Sequence, residues 1–321
     1  MKDIEPKIIY SPEYNIRFLG LERLHPFDSC KYANAWQQLV SQFGNRLEQW
    51  RITPKEPVTV EELLTVHTPE YLQKLKNSFY LAKALELPEL GLLPYFLLER
   101  RILKGMLLAT KGTILAAQWA LNHGIAVNLS GGYHHASADK GEGFCVYCDI
   151  AIAINVLRQS ELLDPDDAVM IIDLDAHQGN GPERVFSLDK SVYILDMYNQ
   201  NVYPQDWWAS SRANYNIPLN SRTEDEEYLD ILKKQLPSFI EQVDKPKIAF
   251  YNAGTDIYEN DDLGGLRISK KGILERDKFV FHTLTEAGIP WVMVLSGGYT
   301  KESYLLVANS VAYLLKIWAS N

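Results

Sequence analysis

Cysteine is scarce in this chain: Cys30, Cys145 and Cys148 are the only three among 321 residues. A small, odd number argues against a disulfide framework and fits a reducing compartment, so a cytoplasmic location is the expectation. Cys145 and Cys148 form a C-x-x-C, but no second pair exists to complete a zinc knuckle. Both read as buried reduced thiols. Basic residues are also in deficit, 32 Lys and Arg against 41 Asp and Glu, which leaves a formal charge of −9. With no lysine- or arginine-rich tract, the chain shows no electrostatic footprint for direct nucleic-acid binding. Long apolar runs are missing too, so no membrane span is expected. The first residues, MKDIEPKIIYSP, carry no apolar stretch of the kind a secretory signal needs.

What remains is the composition of a globular domain, 46% hydrophobic and 23% charged, with enough apolar residues for a core that needs no staples. No repeat, low-complexity segment or linker divides it, and residues 1–321 read as one domain. Short runs rich in β-branched and aromatic residues predict strands at 125–130, 168–174, 191–196, 247–252 and 290–296. Helical patterns lie between them. One covers 106–122 and ends at Gly124. Another covers 224–242, with Thr223 and Glu226 spaced as a capping box. A third covers 270–286 behind Ser269 as N-cap. Shorter helices are expected after Thr59 and after Thr68–Pro69. The alternation predicts an α/β fold, a central parallel sheet with helices on both faces.

In such a sheet ligands bind beyond the carboxyl ends of the strands, so the residues just after each apolar run matter most. IAVNLS is followed by GGYHHA, which supplies His134 and His135. AVMII leads into Asp173, Asp175 and His177. KIAFYN leads into Asp256, and PWVMVLS into Gly297, Gly298 and Tyr299. Asp173, Asp175 and His177 alternate, and period two puts them on one side of an extended chain. Carboxylate and imidazole together suit a borderline divalent ion, and Asp256 would complete an open three-residue site. The plainer alternative is that the aspartates cap the next helix and His177 is a satisfied loop histidine. Polar residues gathering at neighbouring strand ends weigh against that. Two imidazoles directly after Gly-Gly suit proton transfer near neutral pH better than a core. Tyr299 is placed to stabilise a developing oxyanion. His25, His67, His123 and His282 read as structural.

The segments GGYHHA…GEGFC, IDLDAHQGNG, NAGTDI and LSGGY together resemble the zinc-dependent histone deacetylase family. HPFDSCKY, DMYNQNVYP and YNAGTDIYENDDLGGLRIS are most similar to its class IV, histone-deacetylase-11-like branch. The resemblance runs from about residue 10 to the C-terminus. It implies the arginase-like α/β fold, and Zn²⁺ held by Asp175, His177 and Asp256. By the same resemblance His134 and His135 form a catalytic dyad, with His135 the general base and later the general acid. Asp173 would orient His134 and, with Asp196, hold a structural K⁺. Tyr299 would polarise the acyl carbonyl. Gly143 and Phe144 would line a channel for the lysine side chain, with Tyr203 as the opposite wall and Gly298 also at the substrate.

Two positions depart from the commoner pattern: Asn180 stands for an aspartate beside the second histidine, and Gln178 for another histidine. Both are features of the class IV branch. Asn180 still offers His135 a hydrogen bond but brings no charge, so His135 is more easily neutral than it would be beside an aspartate. The implied reaction is hydrolysis of an N-ε-acyl-lysine amide on a protein or peptide, with acetyl and long fatty acyl groups both open. Acetylpolyamines are an alternative substrate. A two-manganese ureohydrolase would need further carboxylates where HQGNG offers amides, and a non-catalytic acyl-lysine reader would not need the complete catalytic set.

Overall fold

A computed structural model describes residues 4–16, 28 and 30–318. Eight strands form one sheet. They are β1 (Lys7–Ile9), β2 (Arg51–Ile52), β3 (Ile125–Asn128), β4 (Val169–Asp173), β5 (Val192–Asn199), β6 (Tyr215–Leu219), β7 (Ile248–Asn252) and β8 (Trp291–Val294). Their order is β2-β1-β3-β8-β7-β4-β5-β6, and every pairing is parallel. Residues of β3, β4, β7 and β8 are buried throughout, as strands covered on both faces must be. Helix Lys104–His123 packs on Asp149–Gln159. Elsewhere Lys31–Phe43 packs on Ser303–Trp318, which continues through Lys270–Glu286 to Asp225–Gln242. The α/β architecture, a parallel sheet flanked by helices in a single domain, is as the alternation predicts.

All five predicted strands are present. β1 and β2 escape a pattern search because they are only 3 and 2 residues long. β6 is an edge strand that alternates partly buried and exposed positions and tolerates Pro218, which could not donate to a further ladder. Among the helices, Ser269 does cap Lys270–Glu286, its Oγ accepting from Gly272 N at 3.0 Å. Thr59 and Glu62 form a reciprocal capping box, and Thr68 accepts from Tyr71 N ahead of Pro69–Lys74. The capping box at Thr223 is not formed. Glu224 is the N-cap there, and the Thr223 hydroxyl instead donates to the Asn220 carbonyl at 2.9 Å, so the turn before the helix outcompetes the cap.

The three cysteines are free thiols. Burial holds the Cys145 and Cys148 thiols far above their ordinary range, so neither is a thiolate nucleophile. His123 stacks on Trp119, His282 hydrogen-bonds Tyr313, and buried His67 accepts from the Cys148 amide. These three are structural; His25 lies outside the described residues. No helix among the described residues is long and apolar enough to cross a membrane.

Candidate active site

The register of the sheet builds the site. Asp173, at the carboxyl end of β4, pairs level with Asp196 on β5 and Asn252 on β7, so three polar side chains meet where the apolar runs stop. Beyond them the chain carries Asp175, His177 and Asp256 into one buried group whose ligand atoms lie within 4.8 Å of one another. His177 Nδ1 sits 2.8 Å from Asp256 Oδ2 and 3.1 Å from Asp175 Oδ1. The remaining lone pairs are held by the backbone: Ala176 N donates to Asp256 Oδ1, and Gly297 N to Asp175 Oδ2. Gly297 must be glycine, because a Cβ there would lie 2.1 Å from Asp256 Oδ2.

The electrostatics say what this group needs. Burial, and then the charge of Asp175, push the Asp256 carboxyl up to about 7. At His177 burial opposes the charged form, but the two carboxylates outweigh it and raise the imidazole well above its usual range. Two carboxylates facing one imidazole, all without solvent, hold excess negative charge that a divalent ion would neutralise. The donor set of two oxygens and one nitrogen fits such an ion.

Beside it lies the histidine pair, with ring centroids 4.2 Å apart. His134 Nδ1 lies 2.9 Å from Asp173 Oδ2, while His135 Nδ1 lies 2.9 Å from Asn180 Oδ1. Tyr299 packs edge-on to His177 at 5.9 Å. Burial, then Asp256 and Asp175, raise its hydroxyl far above 10, so it remains a hydrogen-bond donor. Gly143 presses on His135, where a Cβ would come 2.4 Å from Cδ2, and Tyr203 crosses the same ring at 5.1 Å. Tyr32, Tyr133, Phe144, Cys145 and Gly297 complete the walls of a narrow cavity of about 20 Å³. Gly298 stands behind that wall: its missing Cβ would strike Thr255 Oγ1 at 2.2 Å, and Gly297 takes the position at the pocket.

Deeper in, Asp196 accepts from Gly179 N through Oδ2. Its Oδ1 and the Glu183 Oε1 are buried without a protein donor. Burial raises both acids; Asp173 and Asp206 help carry Glu183 to about 7, and Glu183 and Asp173 push Asp196 up further, so a shared proton or a cation would neutralise the pair.

Several supporting residues were given no role by the sequence, although all but Asp149 stand inside its motifs. Asn252 Nδ2 donates to Asp173 Oδ1 at 2.8 Å and to Ser296 Oγ at 3.0 Å. Asp149 receives the Gly132 and Tyr133 amides and so fixes the turn that presents the histidines. Asp261 receives the Tyr299 amide. Lys31 is buried, donates to the Ser296 and Gly297 carbonyls, and is lowered to about 8 because burial outweighs the nearby aspartates. Asn252 had a signal in the sequence, as the one polar residue ending IAFYN. Lys31 had none.

A buried Asp–His–Asp group that could hold a divalent ion, beside two histidines and a tyrosine, is the kind of arrangement a metal-dependent amidohydrolase requires. Comparison with known proteins narrows the class. The histone deacetylase domain model matches residues 25–316. Histone deacetylase 2 of Arabidopsis thaliana is 42% identical over 311 residues, covering 96% of this chain and 78% of that protein. The acetoin utilization protein AcuC of Bacillus subtilis is 29% identical, covering 91% of this chain and 76% of that one. Among solved structures, the HD domain of HDA15 has a TM-score of 0.76 at 19% identity, covering 98% and 91% of the two chains. An HDAC homologue complexed with SAHA has a TM-score of 0.73 at 24% identity, covering 98% and 83%. These two share the fold. The chain belongs to the histone deacetylase family and is a hydrolase of the deacetylase kind.

Proposed function

We propose that this enzyme hydrolyses N-ε-acyl-lysine amides on protein or peptide substrates, using one Zn²⁺ held by Asp175, His177 and Asp256. The observation that carries this reading is the buried carboxylate–imidazole–carboxylate group beside two histidines with opposite partners. When bound, the ion would supply Lewis-acid polarisation of the acyl carbonyl and a more acidic water. His135, held neutral, takes the water proton and later returns it to the departing lysine amine. His134, paired with Asp173, keeps positive charge beside the reacting centre. Tyr299 donates to the carbonyl oxygen as negative charge develops there. Gly143, Phe144 and Tyr203 enclose the lysine side chain. Asp196, with its unpartnered Oδ1, and Asp173 are the residues for a structural K⁺.

Asn180 and Gln178 support placement in the class IV branch. The residues lining the cavity beside the histidine pair would set acyl length, with acetyl and long fatty acyl groups the two candidates. A panel of acetyl-lysine peptides, fatty-acyl-lysine peptides and acetylpolyamines tests both points, with metal content measured alongside. The expected result is chelator-sensitive deacetylation of peptides at one ion per chain, and a loss of about 10²–10³ in kcat for Tyr299→Phe. Turnover of acetylpolyamines alone would overturn the substrate assignment. An unchanged rate in Tyr299→Phe would remove that residue from the mechanism.

A further inference from the structure

We infer that Glu142 is a positioning residue: it orients the Asn180 amide and thereby sets which nitrogen of His135 carries the proton. This rests on reading His135 as the general base. Glu142 and Cys145 exchange both backbone hydrogen bonds, at 3.1 and 2.9 Å. Between them Gly143 and Phe144 have φ of +55° and +62°, the two left-handed residues of a tight hairpin turn. The turn that lines the channel therefore also fixes where Glu142 stands.

From that place Glu142 Oε1 accepts from Asn180 Nδ2 at 3.1 Å. Lys140 pairs with Oε2, and the Tyr203 hydroxyl hydrogen-bonds the same carboxylate. A carboxylate can only accept. The Asn180 amide must then turn its NH₂ toward Glu142 and its Oδ1 toward His135 Nδ1. An oxygen facing Nδ1 calls for a proton there, which leaves the lone pair on Nε2 free to accept a proton from water. If the amide rotated by half a turn, its NH₂ would face Nδ1, the ring proton would move to Nε2, and the base would be lost. An aspartate in place of Asn180 would need no such control, since both its oxygens accept. An asparagine does need it, and Glu142 provides it.

The test is a cycle of Glu142→Ala and Glu142→Gln, each in the native and the Asn180→Asp background, with the metal-loaded protein. Glu142→Ala should lower kcat about tenfold with KM little changed, the scale of one lost orienting hydrogen bond. Glu142→Gln still offers Asn180 an oxygen and should keep a near-native kcat. In the Asn180→Asp background, Glu142→Ala should no longer lower kcat. Independently of turnover, long-range ¹H–¹⁵N spectra of histidine-labelled protein report the His135 tautomer, the signal being assigned by its loss in His135→Asn. Glu142→Ala should populate the form protonated at Nε2. An unchanged tautomer, or an equal kcat loss in the Asn180→Asp background, would overturn the inference. If the native protein hydrolyses no amide, the proposed function fails, and the spectra still decide the role of Glu142.

Discussion

His134 and His135 are consecutive residues, equally buried at 4% exposure, with rings in contact. Their electrostatic states are nonetheless opposite. For His134, burial opposes charge, but Asp173 and Asp175 outweigh it and raise the imidazole to about 9. For His135, burial together with His134 and His177 pushes it well below its usual range, and the hydrogen bond to Asn180 offsets only part of that. Burial is equal, so the partner decides. Asp175 also faces the candidate metal position, which makes Asp173 the partner that persists once the site is loaded. The partners thus bias one imidazole of a single dipeptide toward its charged form and the next toward its neutral form.

The sharpest way to break the comparison is to delete each ring in turn. His135→Ala should cost about 10²–10⁴ in kcat on an acetyl-lysine peptide, the range for a lost general base. His134→Ala should cost less, because an electrostatic neighbour is lost rather than the proton acceptor. Equal losses, or the reverse order, would show that the two roles are not divided as their partners suggest.

His67 extends the comparison to a histidine away from the chemistry. It is 2% exposed, and burial lowers it to about 4 despite backbone hydrogen bonds that favour its charged form. A folded-state value below the unfolded 6.5 means the unfolded chain binds the extra proton. Its contribution is therefore present in full above about 6.5 and is lost as pH falls toward 4. Over that interval the loss is about 3 kcal/mol. His67→Gln, which can still accept from the Cys148 amide, should flatten the acid side of a stability curve measured by denaturant melts between about pH 7 and pH 4. A variant with the same acid slope as the native protein would assign that slope to other groups.

These contrasts also show what a sequence can disclose. The grouping of Asp175, His177 and Asp256 was legible because they follow strands whose apolar character is continuous, and register then carries them to one rim. Glu142 was not, since its role depends on a hairpin closed by two left-handed residues and on a contact 38 positions away. Lys31 was hidden for the same reason: a lysine in a helix pattern does not announce that its amine is buried against carbonyls 265 residues later. β1 and β2 are too short for any period to develop. At Thr223 the spacing was right and the local turn chemistry prevailed.

Asn180→Asp gives the smallest effect and the most direct test of partner control. It places a carboxylate 2.9 Å from His135 Nδ1, where an amide oxygen now stands. Opposite charge at that distance favours imidazolium, so the His135 value rises and the two histidines become alike. If His135 must be neutral to take the water proton, the acid limb of kcat/KM moves to higher pH, by roughly one unit. The basic limb, where the protonated ring must donate to the leaving amine, moves up as well. The native enzyme would then hold more activity below neutrality, and the variant more above it. Superimposable profiles would mean that the charge at position 180 does not reach the base, and the contrast between the two rings would have to rest on Asp173 at His134 rather than on the partner of His135.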